Sequence, residues 1–254
     1  MTRAERITRA ERITRNEPTT RQKPTTRQEP LTREEPIALS HLGWIPAGAL
    51  LGWFAAFVFG DLMTLPVDLY YLIYFGIVLG FVALYVRRTG LELRSWISRR
   101  LRWAVALGVL GSVALMQGVL ARPETPALSG AMLAWAVVYR GVIYGAVDGI
   151  LLFAFPWIVA WRAFGAESAR CGVRVRASAV ALLAILLMTT TYHLGYRDFR
   201  SSKIMMPNLG SLIGAVPTLV TANPVASAIS HVGMHVTTVL HSPESDLFLP
   251  PHRE

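Results

Sequence analysis

The chain has 254 residues, of which 53% are hydrophobic and only 16% charged, against about 45–50% apolar and about 25% charged in soluble domains. With a mean hydropathy of +0.41, this composition argues against a water-soluble globular domain and predicts an all-α polytopic membrane helix bundle. The net charge of +9 does not point to nucleic acid, because the basic residues flank apolar runs, where they fix topology and meet anionic lipid.

The first 41 residues read as a disordered tail. Residues 2–37 are six hexapeptides in tandem, from Thr-Arg-Ala-Glu-Arg-Ile to Thr-Arg-Glu-Glu-Pro-Ile. Pro18, Pro24, Pro30 and Pro36 recur every six residues and forbid a continuous helix. The tail has few apolar groups to offset chain entropy. It also lacks the apolar core and small-residue cleavage site of a signal peptide.

A transmembrane domain is expected over 42–241, with a short C-terminal tail over 242–254. A spanning helix needs about 20 apolar residues, and the candidates give about six to seven such helices. They fall at 42–60, 67–86, 103–121, 131–164, 177–194, 207–221 and 225–241. Tyr70, Tyr71 and Tyr74 suggest an interfacial belt at one end of the second. Between the second and third, residues 91–104 mix Leu93, Trp96, Ile97 and Leu101 with arginines, a pattern suited to lying flat on a membrane face. The fourth segment, at roughly 50 Å, is too long for one straight span. It should tilt, begin with an interfacial turn, or break near its glycines or Pro156. The last two are separated by Thr221-Ala222-Asn223-Pro224, a turn signal that predicts a helical hairpin or one broken helix.

Charge sets the orientation. Nine Lys or Arg lie in the tail, and Arg87, Arg88, Arg94, Arg99, Arg100 and Arg102 follow the second segment. Arg162, Arg170, Arg174 and Arg176 follow the fourth. A cytoplasmic N-terminus in a multi-pass cell-membrane protein is expected. Arg197, Arg200 and Lys203 run against this pattern, offset in part by Asp198. Cys171, the only cysteine, rules out an intrachain disulfide and reads as a reduced thiol in a basic loop.

Few polar groups fall inside the apolar segments, and each costs free energy there unless it is partnered. The fourth segment holds Arg140 and Asp148, together with Gly141, Gly145 and Gly149. Those glycines form overlapping Gly-x-x-x-Gly units that admit another helix closely. His193 ends the fifth segment. His231 and His235 are four apart, so on a helix they share one face. Either Asp148 caps or pairs while Arg140 snorkels, or the two line a polar cavity facing the histidines. His41 and His252 read as solvated, and His241 as a helix-end cation.

Tyr139-Arg140-Gly141, the helix ending in His193, and Asn223-Pro224 leading into His231-x-x-x-His235 together resemble the CPBP family. That family contains the CAAX prenyl proteases and bacteriocin-processing or immunity-type membrane proteins. The resemblance covers residues 130–241. It implies a multi-helix membrane fold in which a glutamate activates water against a peptide bond. The family pattern is Glu-Glu-x-x-x-Arg, Phe-x-x-x-His and His-x-x-x-Asn or Asp. Here Trp135 and Ala136 stand at the glutamate positions, Thr189 at the phenylalanine, and His235 at the last position. No glutamate occurs in the fourth segment. The resemblance therefore implies loss of glutamate-dependent proteolysis and a binding or scaffold role toward another membrane protein or a peptide.

The alternative is a metal-dependent intramembrane hydrolase. His193, His231 and His235 would be nitrogen ligands for zinc, and Asp148 a fourth ligand or a base. The candidate catalytic residues are then Asp148, His193 and His231, with Arg140 and Tyr139 as a further polar site. A b-type haem held by His193 and one of the other two histidines is the least supported reading. Ser227 and Ser230 lie near His231, but serines in membrane helices usually bond the backbone or a neighbouring helix.

Overall fold

A computed structural model describes residues 38–250. The hexapeptide tail up to residue 37 and the last four residues, His252 among them, lie outside the described residues. Within that range the chain is all helical, and no strand occurs among the described residues. Helix α1 covers Ser40–Leu62 and α2 Val67–Thr89. A short α3 runs over Leu93–Ser98, followed by α4 over Leu101–Leu120, α5 over Gly130–Ala163 and α6 over Cys171–Leu194. Helices α7, Met205–Thr221, and α8, Val225–His241, complete the bundle. Six of the eight, all but α3 and α8, are long and apolar enough to cross a membrane. The 17 residues of α8 span about 26 Å at the helical rise.

The centre of the bundle is α5. It runs unbroken for 34 residues, exposed in its first turns and buried along most of its later, most apolar stretch. A helix that is apolar all round belongs in the interior. Of the expected alternatives, the break does not occur. Instead the helix widens into π geometry over Val137–Ile143 and again over Ile150–Ala154. The second π segment ends two residues before Pro156, which cannot donate to the helix ladder. Asp148 lies on the single α-helical stretch between the two π segments.

Small residues decide where α8 lies. A Cβ on Gly141, Gly145 or Gly149 would stand 3.1 Å from the Cα of Val236, Val232 or Ala228, respectively. The glycine stripe of α5 therefore rests on the backbone of α8, as its spacing suggests. On the opposite side, Gly108 and Gly111 of α4 touch Ala226, Ile229 and Ser230. Ser230 Oγ donates to Gly108 O at 2.9 Å, and Ser112 Oγ donates to Ile229 O at 3.1 Å. So α8 is clamped between α4 and α5, and Ser230, next to His231, serves as a helix-to-helix bond.

The turn between α7 and α8 is the expected hairpin. Ala222 takes a left-handed conformation with φ of 53°. Asn223 Oδ1 accepts from Val225 N at 2.8 Å, while its Nδ2 donates to Ile97 O at 3.0 Å and to Arg99 O. These bonds tie the hairpin to α3. One face of α3 is buried through Trp96, which meets Trp157 of α5 edge-on at 5.5 Å. Leu93 and Ile97 remain exposed.

Two sequence expectations change here. Tyr70, Tyr71 and Tyr74 are fully buried among α2, α5 and α6 and form no belt. The reason is geometric: positions 70, 71 and 74 form one face of α2, and that face is turned toward α5. His41 is not simply solvated either, since its Nδ1 lies 3.2 Å from Tyr85 OH. The basic loop after α6, which runs against the charge pattern, has an acidic partner besides Asp198. Asp61, at the end of α1, lies 3.9 Å from Arg197 and 3.8 Å from Arg200, and accepts from Arg197 N at 2.9 Å.

Candidate metal centre

The clamp on α8 turns His231 and His235 toward Asp148. Asp148 Oδ2 lies 2.7 Å from His231 Nε2 and 3.9 Å from His235 Nε2, and the two Nε2 atoms are 3.0 Å apart. All three residues are buried, with Asp148 at 3% and His235 at 2% exposure. The same glycines that bring the helices together also border the site: a Cβ on Gly145 would abut His235 Cβ, and one on Gly149 would abut His231 Cβ. Among the described residues this is the one group of three or more His, Cys, Asp or Glu whose donor atoms converge.

Three Lewis-basic atoms meeting at one buried point need positive charge between them. The two imidazole nitrogens cannot both carry a proton at 3.0 Å, since two N–H groups would then face each other. They cannot both be bare, since two lone pairs would then face each other beside a carboxylate oxygen. A single proton on His231 Nε2, divided between Asp148 and His235, is one solution. A metal ion is the other. The triangle of donor atoms, with sides of 2.7, 3.0 and 3.9 Å, has its equidistant point about 2 Å from each corner, a zinc-bond distance, with Asp148 Oδ2 and His235 Nε2 nearly opposite across it, so tetrahedral zinc requires the three atoms to spread.

A cavity of about 60 Å³, room for a few water molecules, adjoins the group. Asp148, His193, His231, His235, Tyr144 and Tyr192 are among its polar lining, and Phe153, Met206, Met234 and Phe248 among its apolar lining. The C-terminal segment thus forms part of the cavity wall.

The expected ligand set is rearranged. His193 lines the cavity but stands outside the convergent group, whose third donor is Asp148. The reason is its position at the end of α6, where its Nδ1 bonds Thr189 O at 2.8 Å and its ring packs edge-on against Tyr192 and Phe199. Nδ1 therefore carries the proton, and Nε2 holds the lone pair.

Arg140 and Tyr139 do not face the histidines. Arg140 Nε donates to Asp68 Oδ1 at 2.8 Å, Trp135 Nε1 donates to Asp68 Oδ2 at 2.9 Å, and Tyr139 OH donates to Asp68 O at 2.9 Å. The first π segment and the residues before it thus form a second polar cluster on the N-terminus of α2. Trp135, at a position where the resemblance calls for glutamate, is one of its members. His241 sits at the end of α8, with Nε2 2.9 Å from Arg122 O.

The main group missed in the sequence is a set of tyrosines. Tyr74 OH donates to Asp148 Oδ1 at 2.6 Å. Beside it, Tyr196 OH donates to Tyr70 OH at 2.6 Å, and Tyr192 OH lies within 3.1 Å of the hydroxyls of Tyr70, Tyr144 and Tyr196. Burial pushes the Tyr196 phenol well above its ordinary range, so it stays a hydroxyl donor. The available signal was the spacing: Tyr70 with Tyr74, and Tyr192 with Tyr196, are each four apart on or beside one helix.

Comparison with protein-family models, with curated proteins and with solved structures finds no match to this chain.

Proposed function

We propose that this multi-pass membrane protein is a metal-dependent intramembrane hydrolase. In this reading Asp148 Oδ2, His231 Nε2 and His235 Nε2 hold a zinc-type ion. The observation that carries the reading is the convergence of three buried donor atoms on one point about 2 Å from each. Three protein ligands beside a cavity with room for water match the composition of catalytic rather than structural zinc sites, in which the fourth position is open. Zinc in such a set supplies an activated water near neutral pH.

His193 serves as the base at that cavity. Its Nδ1–H is fixed by Thr189 O, so the Nε2 lone pair is the one available to a proton. The apolar lining of the cavity suits a small apolar group next to the bond attacked. Arg140 and Tyr139 have no part in the chemistry. With Asp68 they hold α2 against α5.

A second reading rests on the CPBP resemblance: a scaffold that binds a membrane protein or peptide and no longer cleaves. It is favoured by the bonding of Asp148, both of whose oxygens are within hydrogen-bond distance of protein groups, Tyr74 and His231. Metal analysis of the full chain purified in detergent separates the two. The hydrolase reading expects about one equivalent of zinc or cobalt that chelators remove and His231→Ala never acquires. Uptake below about a tenth of an equivalent under zinc-replete conditions sinks it and leaves the scaffold.

A further inference from the structure

We infer that Tyr74 is the residue that sets metal selectivity at this centre, by restricting Asp148 to one coordinating oxygen. The inference rests on the metal reading above.

Tyr74 OH donates to Asp148 Oδ1 at 2.6 Å, a short charge-assisted bond. The phenol has little freedom to leave. Tyr74 is fully buried, and its ring lies 5.9 Å from Tyr70, 5.8 Å from Tyr144 and 5.6 Å from Tyr192. The hydroxyls of Tyr70, Tyr144, Tyr192 and Tyr196 are engaged with one another. The Tyr74 proton is thus committed to Oδ1. Only Oδ2 faces the two imidazoles.

The consequence is a count of ligands. A monodentate carboxylate, two imidazoles and one water make four, the tetrahedral number for zinc. Manganese and calcium favour six or more ligands, mostly oxygen, and readily take carboxylates through both atoms. With Oδ1 occupied, such an ion finds too few oxygens here. Tyr74 does not touch the ion and is a positioning residue acting through Asp148.

The test titrates Zn²⁺ and Mn²⁺ separately against the full chain in detergent, as wild type, Tyr74→Phe and Tyr70→Phe. Loss of a hydrogen bond to a ligand costs about 10–100-fold in metal affinity. Tyr74→Phe should lose zinc affinity by about that factor and lose less for manganese, so the Zn/Mn preference narrows about tenfold or more. Tyr70→Phe removes a hydroxyl from the same aromatic cluster without touching Asp148 and should leave the preference in place. Infrared spectra of the zinc-loaded wild type need no variant, and should show the wide carboxylate splitting of monodentate binding. An unchanged preference in Tyr74→Phe, an equal loss in Tyr70→Phe, or a bidentate splitting in the wild type each overturns the inference while leaving the metal reading intact. A wild type that takes up neither ion overturns both.

Discussion

The Nε2 atoms of His231 and His235 face each other across 3.0 Å, one turn apart on α8. That contact is set by the helix itself, because residues four apart share a face. What makes it a site is the third atom, Asp148 Oδ2, brought in from α5 by close backbone contact along Gly141, Gly145 and Gly149. Without the glycines the carboxylate would stand further from the imidazoles by the width of a side chain. Packing and chemistry here depend on the same residues.

Metal should therefore stabilise the fold. Zinc at about 100 times its dissociation constant adds about 2.7 kcal/mol to a protein that binds it only when folded. Chelation should lower the melting temperature in detergent, and added zinc should restore it. His231→Ala should melt at one temperature with or without zinc. A wild type whose melting temperature ignores both chelator and zinc would contradict this expectation.

Substitution of the glycine stripe should damage the site from a distance. A Cβ at Gly145 would meet Val232 Cα at 3.1 Å and His235 Cβ at 3.2 Å, and a backbone atom cannot swing aside. Gly145→Ala should cost about 1–3 kcal/mol, as overpacked cores do, and should weaken metal binding as α8 shifts outward. At Gly76 and Gly80 of α2, an added Cβ would meet nothing within 4 Å. Alanine there should be neutral or stabilise by about 0.5–1 kcal/mol. Thermal denaturation of the three variants side by side checks the order.

The spans, the 221–224 hairpin and the pairing of His231 with His235 are legible in the sequence, because each rests on local rules of apolar length, turn chemistry or helical spacing. The glycine stripe announces a close helix but not which one. The residues that complete the site are not legible. Tyr74 is 74 positions from Asp148, and the Asp68 that claims Arg140 is 72 positions away. In helices that are apolar on every side, no periodicity marks the face that turns inward, so Tyr70, Tyr71 and Tyr74 read as an interfacial belt. The continuity of α5 is hidden for another reason: π geometry lets a helix pass Pro156, and it leaves no compositional trace.

The two polar clusters should behave independently. Arg140 pairs with Asp68, and both retain some solvent contact, at 19% and 37% side-chain exposure. Arg140→Ala should lower stability by no more than about 1 kcal/mol, the usual scale for such pairs, and leave metal stoichiometry unchanged. Asp148→Asn should abolish metal uptake. Measuring metal content and melting temperature on both variants tests the separation. Loss of metal in Arg140→Ala would show that the Asp68 cluster supports the centre after all.

Orientation is open to a direct chemical test through the only cysteine. Cys171 is exposed at the start of α6, on the side where Arg162, Arg170, Arg174 and Arg176 gather at the facing ends of α5 and α6. If basic helix ends and loops face the cytoplasm, this side does, and so does the junction of α2 and α3, flanked by Arg87, Arg88 and Arg94. The loop after α6 then lies on the other side, where Asp61 offsets Arg197 and Arg200. A membrane-impermeant maleimide should label Cys171 in inverted vesicles and leave it unlabelled in intact cells until detergent is added. Moving the single thiol to Ser201, as Cys171→Ser with Ser201→Cys, should reverse the pattern. Labelling of Cys171 from outside intact cells would invert the topology and detach the charge bias from its usual meaning in this chain.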